Sequence, residues 1–178
     1  MYLKNKLDSV ISDERLIELV HVAAGPLDLS DVLVEIGRTN GLDGEAAGLF
    51  RTPLYGWDAG RYPAANFLVR AAFHHGDLSP AGGHWPCTAS RTPAGPGTNH
   101  LHYIDAYEGL PAVTVHDLEE ELVYILGHEF RHLAQWRADQ AANWTLYLLP
   151  DGSHDADAVE HEAEAAGQAI LRTFRAQR

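Results

Sequence analysis

The amino-acid sequence predicts an α+β fold, in which a small mixed or antiparallel sheet packs against a long helix and a second helix near the C-terminus. Two observations support this class. Short apolar segments bounded by turn residues come first, and two helical repeats, the second rich in alanine and acidic residues, follow them. The chain of 178 residues has the length of one ordinary domain and shows no internal boundary, so we expect a single domain over residues 1–178.

The first element is a predicted helix over about residues 12–24. Ser12 can cap it, two acidic residues follow in the first turn, and Gly25 followed by proline ends the apolar repeat. The sheet is expected over about residues 31–116, with strands predicted in the segments DVLVEIG, AAGLF, NFLVRAAF, HLHYIDAY and PAVTV. Within this region, about residues 75–99 are rich in Gly, Pro, Ser and Thr and are predicted to form a loop.

Two helices are predicted after the sheet. The first covers about residues 117–143, where Asp117 can cap the helix and Glu120 completes a capping box. Apolar residues recur at helical spacing through this segment, which predicts a buried helix. The second covers about residues 155–173 and carries acidic residues at its start and arginine near its end, an order that suits the helix dipole.

The charge and composition of the chain exclude some partners. The formal net charge is −12, from 25 acidic and 13 basic residues, and it would repel a phosphate backbone, so we expect no nucleic-acid partner. Cys87 is the only cysteine, so no intrachain disulfide can form. No apolar segment is long enough for a signal peptide or a membrane span. We therefore expect a cytoplasmic protein with no membrane partner.

The long predicted helix contains HEFRH, which matches the pattern H-E-x-x-H and places His128 and His132 one turn apart. Residues at this spacing have their β-carbons about 5–6 Å apart, so both imidazoles can bind one zinc ion. Glu129 then lies beside the open position on the metal, where it can act as a base. The pattern arises by chance in roughly one chain in twenty of this composition. Here it also falls on a helix predicted to be buried, where these side chains are costly without a metal or partners.

A catalytic zinc ion has three protein ligands and one water, so the chain must supply a third ligand. Glu160 and Glu164 lie four residues apart on one face of the last predicted helix. We predict that Glu160 binds the metal and that Glu164 accepts a hydrogen bond from one of the two histidines. Glu162 has no second carboxylate four residues on, so we assign it no role. His154 or His161 could replace Glu160, and an acid-rich first turn is also ordinary in helices without a metal.

These residues resemble the gluzincin branch of the zincin metallopeptidases, which contains thermolysin, and in particular its small single-domain forms. HEFRH with Gln135 just after it is similar to the active-site helix of small bacterial and phage zincins. Glu160, Ala163 and Glu164 look like the E-x-x-A-D helix of the family, with Glu164 where Asp is usual. The resemblance covers about residues 112–174. The metzincin branch resembles the chain less, because Gln135 stands where its motif requires Gly.

The resemblance implies a zincin-like fold and a zinc peptidase that acts on a peptide or protein. A single zinc ion would polarise the scissile carbonyl, while Glu129 would take the proton from the attacking water and pass it to the leaving amine. Zincins bind an extended substrate along an edge strand, which would lie here near residues 100–107 or 112–115. Four side chains are candidates for stabilising the oxyanion, namely His154, Tyr147, His116 and His102.

A second hypothesis comes from a different class of protein. The chain could be a zincin-like protein that binds zinc for regulation or interaction, with little or no peptidase turnover. A regulatory site needs ligands but no base, so a glutamate at position 129 between two ligand histidines favours catalysis. The sequence contains no evident helix-turn-helix or other appended module, so regulation through an attached DNA-binding domain has no support.

Overall fold

The structure is a computed structural model, and it describes several stretches of the backbone, namely residues 1–39, 47–51, 61–74, 87–89, 110–111, 113–138 and 157–178. Their side chains are described except at residues 38–39, 47–51, 72–74, 87–89 and 157–160. The elements of this part of the chain are, in order, β1 (Tyr2–Asn5), α1 (Asp13–Ala24), β2 (Val32–Thr39), β3 (Ala47–Arg51), β4 (Phe67–His74), β5 (Cys87–Ala89), β6 (Val113–Val115), α2 (Leu118–Ala138) and α3 (Asp157–Ala176).

A four-stranded mixed sheet with the strand order β1-β2-β4-β3 forms the centre of the fold. β1, β2 and β4 are parallel, whereas β3 runs antiparallel to β4 at one edge. Parallel neighbours cannot be joined by a tight hairpin, and α1 provides the crossover from β1 to β2. β5 and β6 form a separate antiparallel pair. The coarse prediction of a small mixed sheet combined with helices is confirmed.

Both faces of the central strand β2 are buried. Val32, Val34 and Ile36 join the main core, which the sheet shares with the three helices. Leu33 points to the opposite face, where it packs in a smaller cluster with Tyr62. Successive side chains of a strand alternate between faces, so the apolar alternation in the sequence already separates these two groups.

The first helix has the ends that the sequence predicts. The hydroxyl oxygen of Ser12 accepts a hydrogen bond from the backbone N–H of Arg15 at 3.3 Å, which satisfies one free donor of the first turn. The helix ends at Gly25, where φ is 56°. Glycine adopts this left-handed conformation without the steric cost that a side chain would add. The predicted limits of α1 are therefore confirmed.

The long helix α2 also begins where the sequence predicts. Asp117 Oδ1 accepts a hydrogen bond from the N–H of Glu120 at 2.9 Å. The carboxylate of Glu120 accepts from the N–H of His116 at 2.9 Å, one residue earlier than in the usual capping box. Beyond this cap, α2 is buried along most of its length, because it packs against α1, α3, β3 and β4. The structure describes the helix as far as Ala138, and its predicted end near residue 143 lies outside the described residues.

Two strands are absent from the sequence-based prediction. β1 has four residues, and its register runs from the pair Tyr2 and Leu33 to the pair Asn5 and Ile36. β5 has three residues and lies within the segment predicted as a loop, where it pairs with β6. Both are too short for a periodic signal, and they become strands because a partner supplies the hydrogen bonds. The predicted strand HLHYIDAY lies outside the described residues.

The predicted C-terminal helix corresponds to α3, which the structure describes from Asp157 to Ala176. The first residues of the prediction, from about 155, lie outside the described part of the chain. α3 packs closely along α2, so it brings its acidic segment next to HEFRH. Across the described residues, none of the helices combines the length and apolarity that crossing a membrane requires.

Candidate metal centre

The two histidines of HEFRH lie side by side on α2. Their Nε2 atoms are 3.0 Å apart, and the rings meet edge to face with centroids separated by 4.7 Å. His132 is buried, whereas the side chain of His128 keeps 18% of its surface exposed. The convergence follows from the spacing of four residues, which places both side chains on one face of the helix.

Each of these histidines has an oxygen acceptor next to its Nδ1 atom. Nδ1 of His128 is 3.6 Å from Oε2 of Glu164, an electrostatic contact somewhat longer than a hydrogen bond. Nδ1 of His132 is 3.0 Å from Oε1 of Gln135. An oxygen acceptor favours a proton on Nδ1, which leaves the lone pair of a neutral ring on Nε2. The two Nε2 lone pairs then face each other and repel, unless a proton or a metal ion lies between them.

The distance between the two Nε2 atoms fits a shared zinc ion. Tetrahedral zinc with nitrogen ligands at about 2.0–2.1 Å separates two such ligands by about 3.3 Å. The observed separation of 3.0 Å is slightly shorter, so a small rotation of either ring would accommodate the ion. Two neutral imidazoles are also a donor set that zinc prefers. The described residues therefore form a suitable pair of ligands.

Glu129 lies between the two histidines in sequence and is buried, with 4% of its surface exposed. Its Oε1 atom is 3.9 Å from Nε2 of His128. Burial raises the free-energy cost of a carboxylate unless positive charge or donors lie near it. This carboxylate therefore lies next to the point where the two histidines converge.

The carboxylate of Glu164 is oriented by two side chains, those of Tyr124 and Gln168. It is almost completely buried, with 2% of its surface exposed, and the hydroxyl of Tyr124 donates a hydrogen bond to its Oε1 atom. The amide Nε2 of Gln168 approaches the same oxygen at 3.4 Å and donates to the carbonyl of Pro111 at 2.9 Å. With Oε1 engaged in this way, Oε2 is the oxygen that faces His128.

Two glycines allow α2 and α3 to approach each other closely at the site. A β-carbon added at Gly167 would lie 2.9 Å from the backbone oxygen of Tyr124 and 3.5 Å from the β-carbon of His128. On the facing helix, a β-carbon added at Gly127 would lie 2.9 Å from the terminal carbon of Ile170. A side chain at position 167 would push the backbone of α2 away, whereas one at position 127 would displace the end of Ile170. The small residues therefore bring Glu164 within reach of the first histidine.

The remaining predicted site residues are described only in part. Glu160, the predicted third ligand, lies on α3 one turn before Glu164, but its side chain lies outside the description. Among the described side chains, no group of three or more His, Cys, Asp or Glu residues is placed to hold a metal ion. His161 is described and is partly buried. His154 and Tyr147 lie outside the described residues.

The two segments predicted to bind substrate are described only in part. Residues 100–107 and His102 lie outside the described part of the chain. Residues 113–115 form β6, which pairs with β5 and does not join the four-stranded sheet. In the described residues, the antiparallel edge of that sheet is β3, which packs against α2. His116 follows β6 as an exposed residue, and its backbone N–H caps α2 through Glu120.

Sequence reasoning assigned no role in the metal site to Gln135 or Glu162, which lie next to it. Gln135 is next to His132, and its Nε2 atom donates a hydrogen bond to Glu162 Oε2 at 2.7 Å. Glu162 also pairs with Arg131 of α2. The bond from Gln135 and the pair with Arg131 lower the pKa of Glu162 from its ordinary value. A glutamine three residues after a ligand histidine is a usable local signal, whereas the position of Glu162 depends on how α3 packs.

No family model, curated protein or solved structure matches this chain. The functional interpretation therefore depends on the residues and their geometry. Two imidazoles that converge through Nε2, with a buried carboxylate beside them, can bind a divalent metal and accept a proton from water. Together, these are the two requirements of metal-assisted hydrolysis.

Proposed function

We propose that this protein is a zinc-dependent metallopeptidase with a zincin-like fold. His128 and His132 bind the metal through Nε2, Glu160 is the third ligand, and Glu129 is the general base. The observation that carries the proposal is the 3.0 Å separation of the two Nε2 atoms, with Oε1 of Glu129 at 3.9 Å from one of them. A structural metal site would need the ligands but would have no use for the buried base.

Each residue has a defined part in the proposed reaction. Bound zinc would supply a polarised carbonyl and a water molecule that is acidic enough to react near neutral pH. Glu129 takes a proton from the attacking water and delivers it to the leaving amine. Glu164 favours a proton on Nδ1 of His128, so that the lone pair of the neutral ring lies on Nε2, the atom proposed to bind the metal. Burial on α2 excludes bulk water from the base.

The position of β3 supports a peptide as the substrate. β3 is the antiparallel edge of the four-stranded sheet among the described residues, and it packs against the helix that carries the two histidines. An edge strand has unpaired backbone groups, and an extended peptide can add to it as a further strand. We propose that the substrate pairs with β3, a strand that the sequence did not single out for this role.

The test compares the wild-type protein with Glu129→Gln after both are loaded with zinc. We expect each protein to bind about one equivalent of zinc, because the variant retains the proposed three ligands. Hydrolysis of a mixed peptide library should be lost in the variant, since an amide has the shape of the carboxylate but cannot accept the proton. Metal content is measured by atomic emission and cleavage by mass spectrometry.

Different outcomes separate the two hypotheses from the sequence. If wild-type protein binds zinc tightly but cleaves no peptide, the regulatory or interaction protein is favoured over the peptidase. If neither protein retains zinc after reconstitution, the metal centre itself is wrong. Equal cleavage by both proteins would remove Glu129 from the mechanism.

A further inference from the structure

A chain of hydrogen bonds connects His132 to the surface of α3. Nδ1 of His132 is 3.0 Å from Oε1 of Gln135, and Nε2 of Gln135 is 2.7 Å from Oε2 of Glu162. The other carboxylate oxygen, Oε1, pairs with Arg131. The proposed metallopeptidase mechanism uses neither Gln135 nor Glu162. They nevertheless reach the histidine that the structure buries more deeply.

The chemistry of these groups gives the hydrogen bonds one direction. A carboxylate paired with a guanidinium can only accept hydrogen bonds. Glu162 therefore requires the NH₂ group of the Gln135 amide on its side, which leaves the amide oxygen facing His132. An amide oxygen also only accepts, so Nδ1 of the imidazole must carry the proton. The lone pair of the neutral ring is then on Nε2.

We propose that Gln135 and Glu162 are positioning residues, which hold His132 in the tautomer that binds metal through Nε2. Glu162 orients the amide of Gln135, and this amide selects the protonated nitrogen of the histidine. As a statement about metal binding, the proposal rests on the proposed function. It replaces the expectation from the sequence that Glu162 has no part in the site.

His128 and His132 are thus oriented by two different kinds of contact. Glu164 acts directly on His128, from a position with 2% of its surface exposed. Glu162 acts on His132 through a neutral amide, and its side chain is 50% exposed. Exposed contacts contribute less than buried ones, because water competes for the same groups. Loss of Glu162 should therefore weaken metal binding less than loss of Glu164.

The tautomer of His132 can be measured directly in the metal-free protein. Long-range ¹⁵N–¹H NMR spectra are recorded at about pH 8, where an ordinary imidazole is neutral. We expect wild-type His132 to be protonated on Nδ1. Gln135→Met removes the amide oxygen that accepts from His132 and keeps a similar side-chain volume. Glu162→Gln allows the amide of Gln135 to rotate so that its NH₂ group faces His132. Both variants should show a mixture of tautomers or protonation on Nε2.

Glu18→Gln is the matched control, because Glu18, like Glu162, is an exposed glutamate that pairs with an arginine. Its partner, Arg15, lies one turn away on α1, far from the candidate site in sequence. This variant should keep the wild-type tautomer at His132. Thermal unfolding of every variant shows whether the fold is retained. Because Gln135 and Glu162 lie at the helix surface, we expect their variants to fold.

Zinc affinity, measured by competition with a chromophoric chelator, is the second readout. We expect binding to weaken about 10–100-fold in Gln135→Met and toward the lower end of that range in Glu162→Gln. An unchanged tautomer in both variants would overturn the proposal. If the tautomer shifts in the variants but the wild-type protein binds no zinc, Gln135 and Glu162 do position His132, and the proposed function is wrong.

Discussion

At the scale of single residues, the candidate site depends on which nitrogen of each histidine carries a proton. A neutral imidazole offers only one lone pair, so a ring protonated on Nε2 could not bind a metal at the point where the two rings converge. Glu164 and Gln135 each face Nδ1 of one histidine and thereby favour the productive form. In the proposed metal centre, the neighbours of the two histidines therefore affect metal affinity, although less than the ligands themselves.

Substitution of Glu160 and Glu164, two of the glutamates of α3, should separate a ligand from a positioning residue. We expect Glu160→Ala to abolish tight zinc binding and Glu164→Ala to weaken it about 10–100-fold, because the second change removes only the partner of His128. The control is Glu14→Ala, an exposed acidic residue in the first turn of α1. Chelator competition gives the affinities. Wild-type affinity in Glu160→Ala would show that the third ligand is another residue.

At the scale of elements, the site is assembled by the contact between α2 and α3. HEFRH is on α2, whereas Glu160 and Glu164 are on α3. Only a close approach of the two backbones brings Glu164 Oε2 to within 3.6 Å of the histidine at position 128. Glycine at positions 127 and 167 permits this approach, although glycine inside a helix costs about 1 kcal/mol relative to alanine. The two glycines therefore lower the intrinsic stability of α2 and α3 while they allow the close approach.

Alanine substitution at these two glycines should have unequal effects. Gly167→Ala places a β-carbon 2.9 Å from the backbone oxygen of Tyr124, which cannot move without shifting α2. We expect this variant to lose about 1–3 kcal/mol of unfolding free energy, as overpacked cores do, and to bind zinc more weakly. Gly127→Ala is the matched control, since its nearest neighbour is the movable end of Ile170. Urea unfolding gives the free energy of unfolding of both variants. Equal losses of stability in the two variants would contradict this explanation.

At the scale of the whole molecule, arginines from both ends of the chain converge on the start of α2. The ion pairs are Arg15 with Glu119, Arg175 with Glu120, and Arg178 with Asp117. In a chain of net charge −12, they neutralise acidic residues that would otherwise repel one another. The pKa of Glu119 is lowered by its bond from Arg15, and that of Glu120 by its bond from Arg175.

This arrangement predicts a stability that depends on pH. The folded-state pKa of Glu120 is depressed, so the stabilisation is present above the unfolded-state pKa of about 4.3 and is lost as the pH falls through the folded-state value. Arg175→Met should therefore cost about 1–3 kcal/mol at neutral pH, because it leaves a buried carboxylate without its main partner. The cost should begin to shrink below about pH 4.3, where the carboxyl group of the unfolded chain takes up its proton, and should disappear as the pH falls through the depressed folded-state value.

The control for this measurement is Arg172→Met, which changes an exposed arginine on the same helix. Urea unfolding of wild type and both variants across the acid range gives the comparison. Arg178 lies 3.9 Å from the same glutamate and can retain part of the pairing, so the loss should fall toward the lower end of the range. A loss that stays constant with pH would show that Arg175 stabilises the fold by packing and not by charge.

The sequence by itself determined the features that depend on neighbouring residues. Ser12 and Asp117 each cap a helix by accepting a hydrogen bond from the backbone N–H three residues later. The spacing of His128 and His132 alone brings their rings together. Only the tertiary structure decided that four residues at the N-terminus form a strand, that β3 is an antiparallel edge, and that Glu162 contacts Gln135. The reason is physical: caps and helical neighbours interact within a few residues, whereas strand pairing and helix packing join distant segments whose contacts no local pattern encodes.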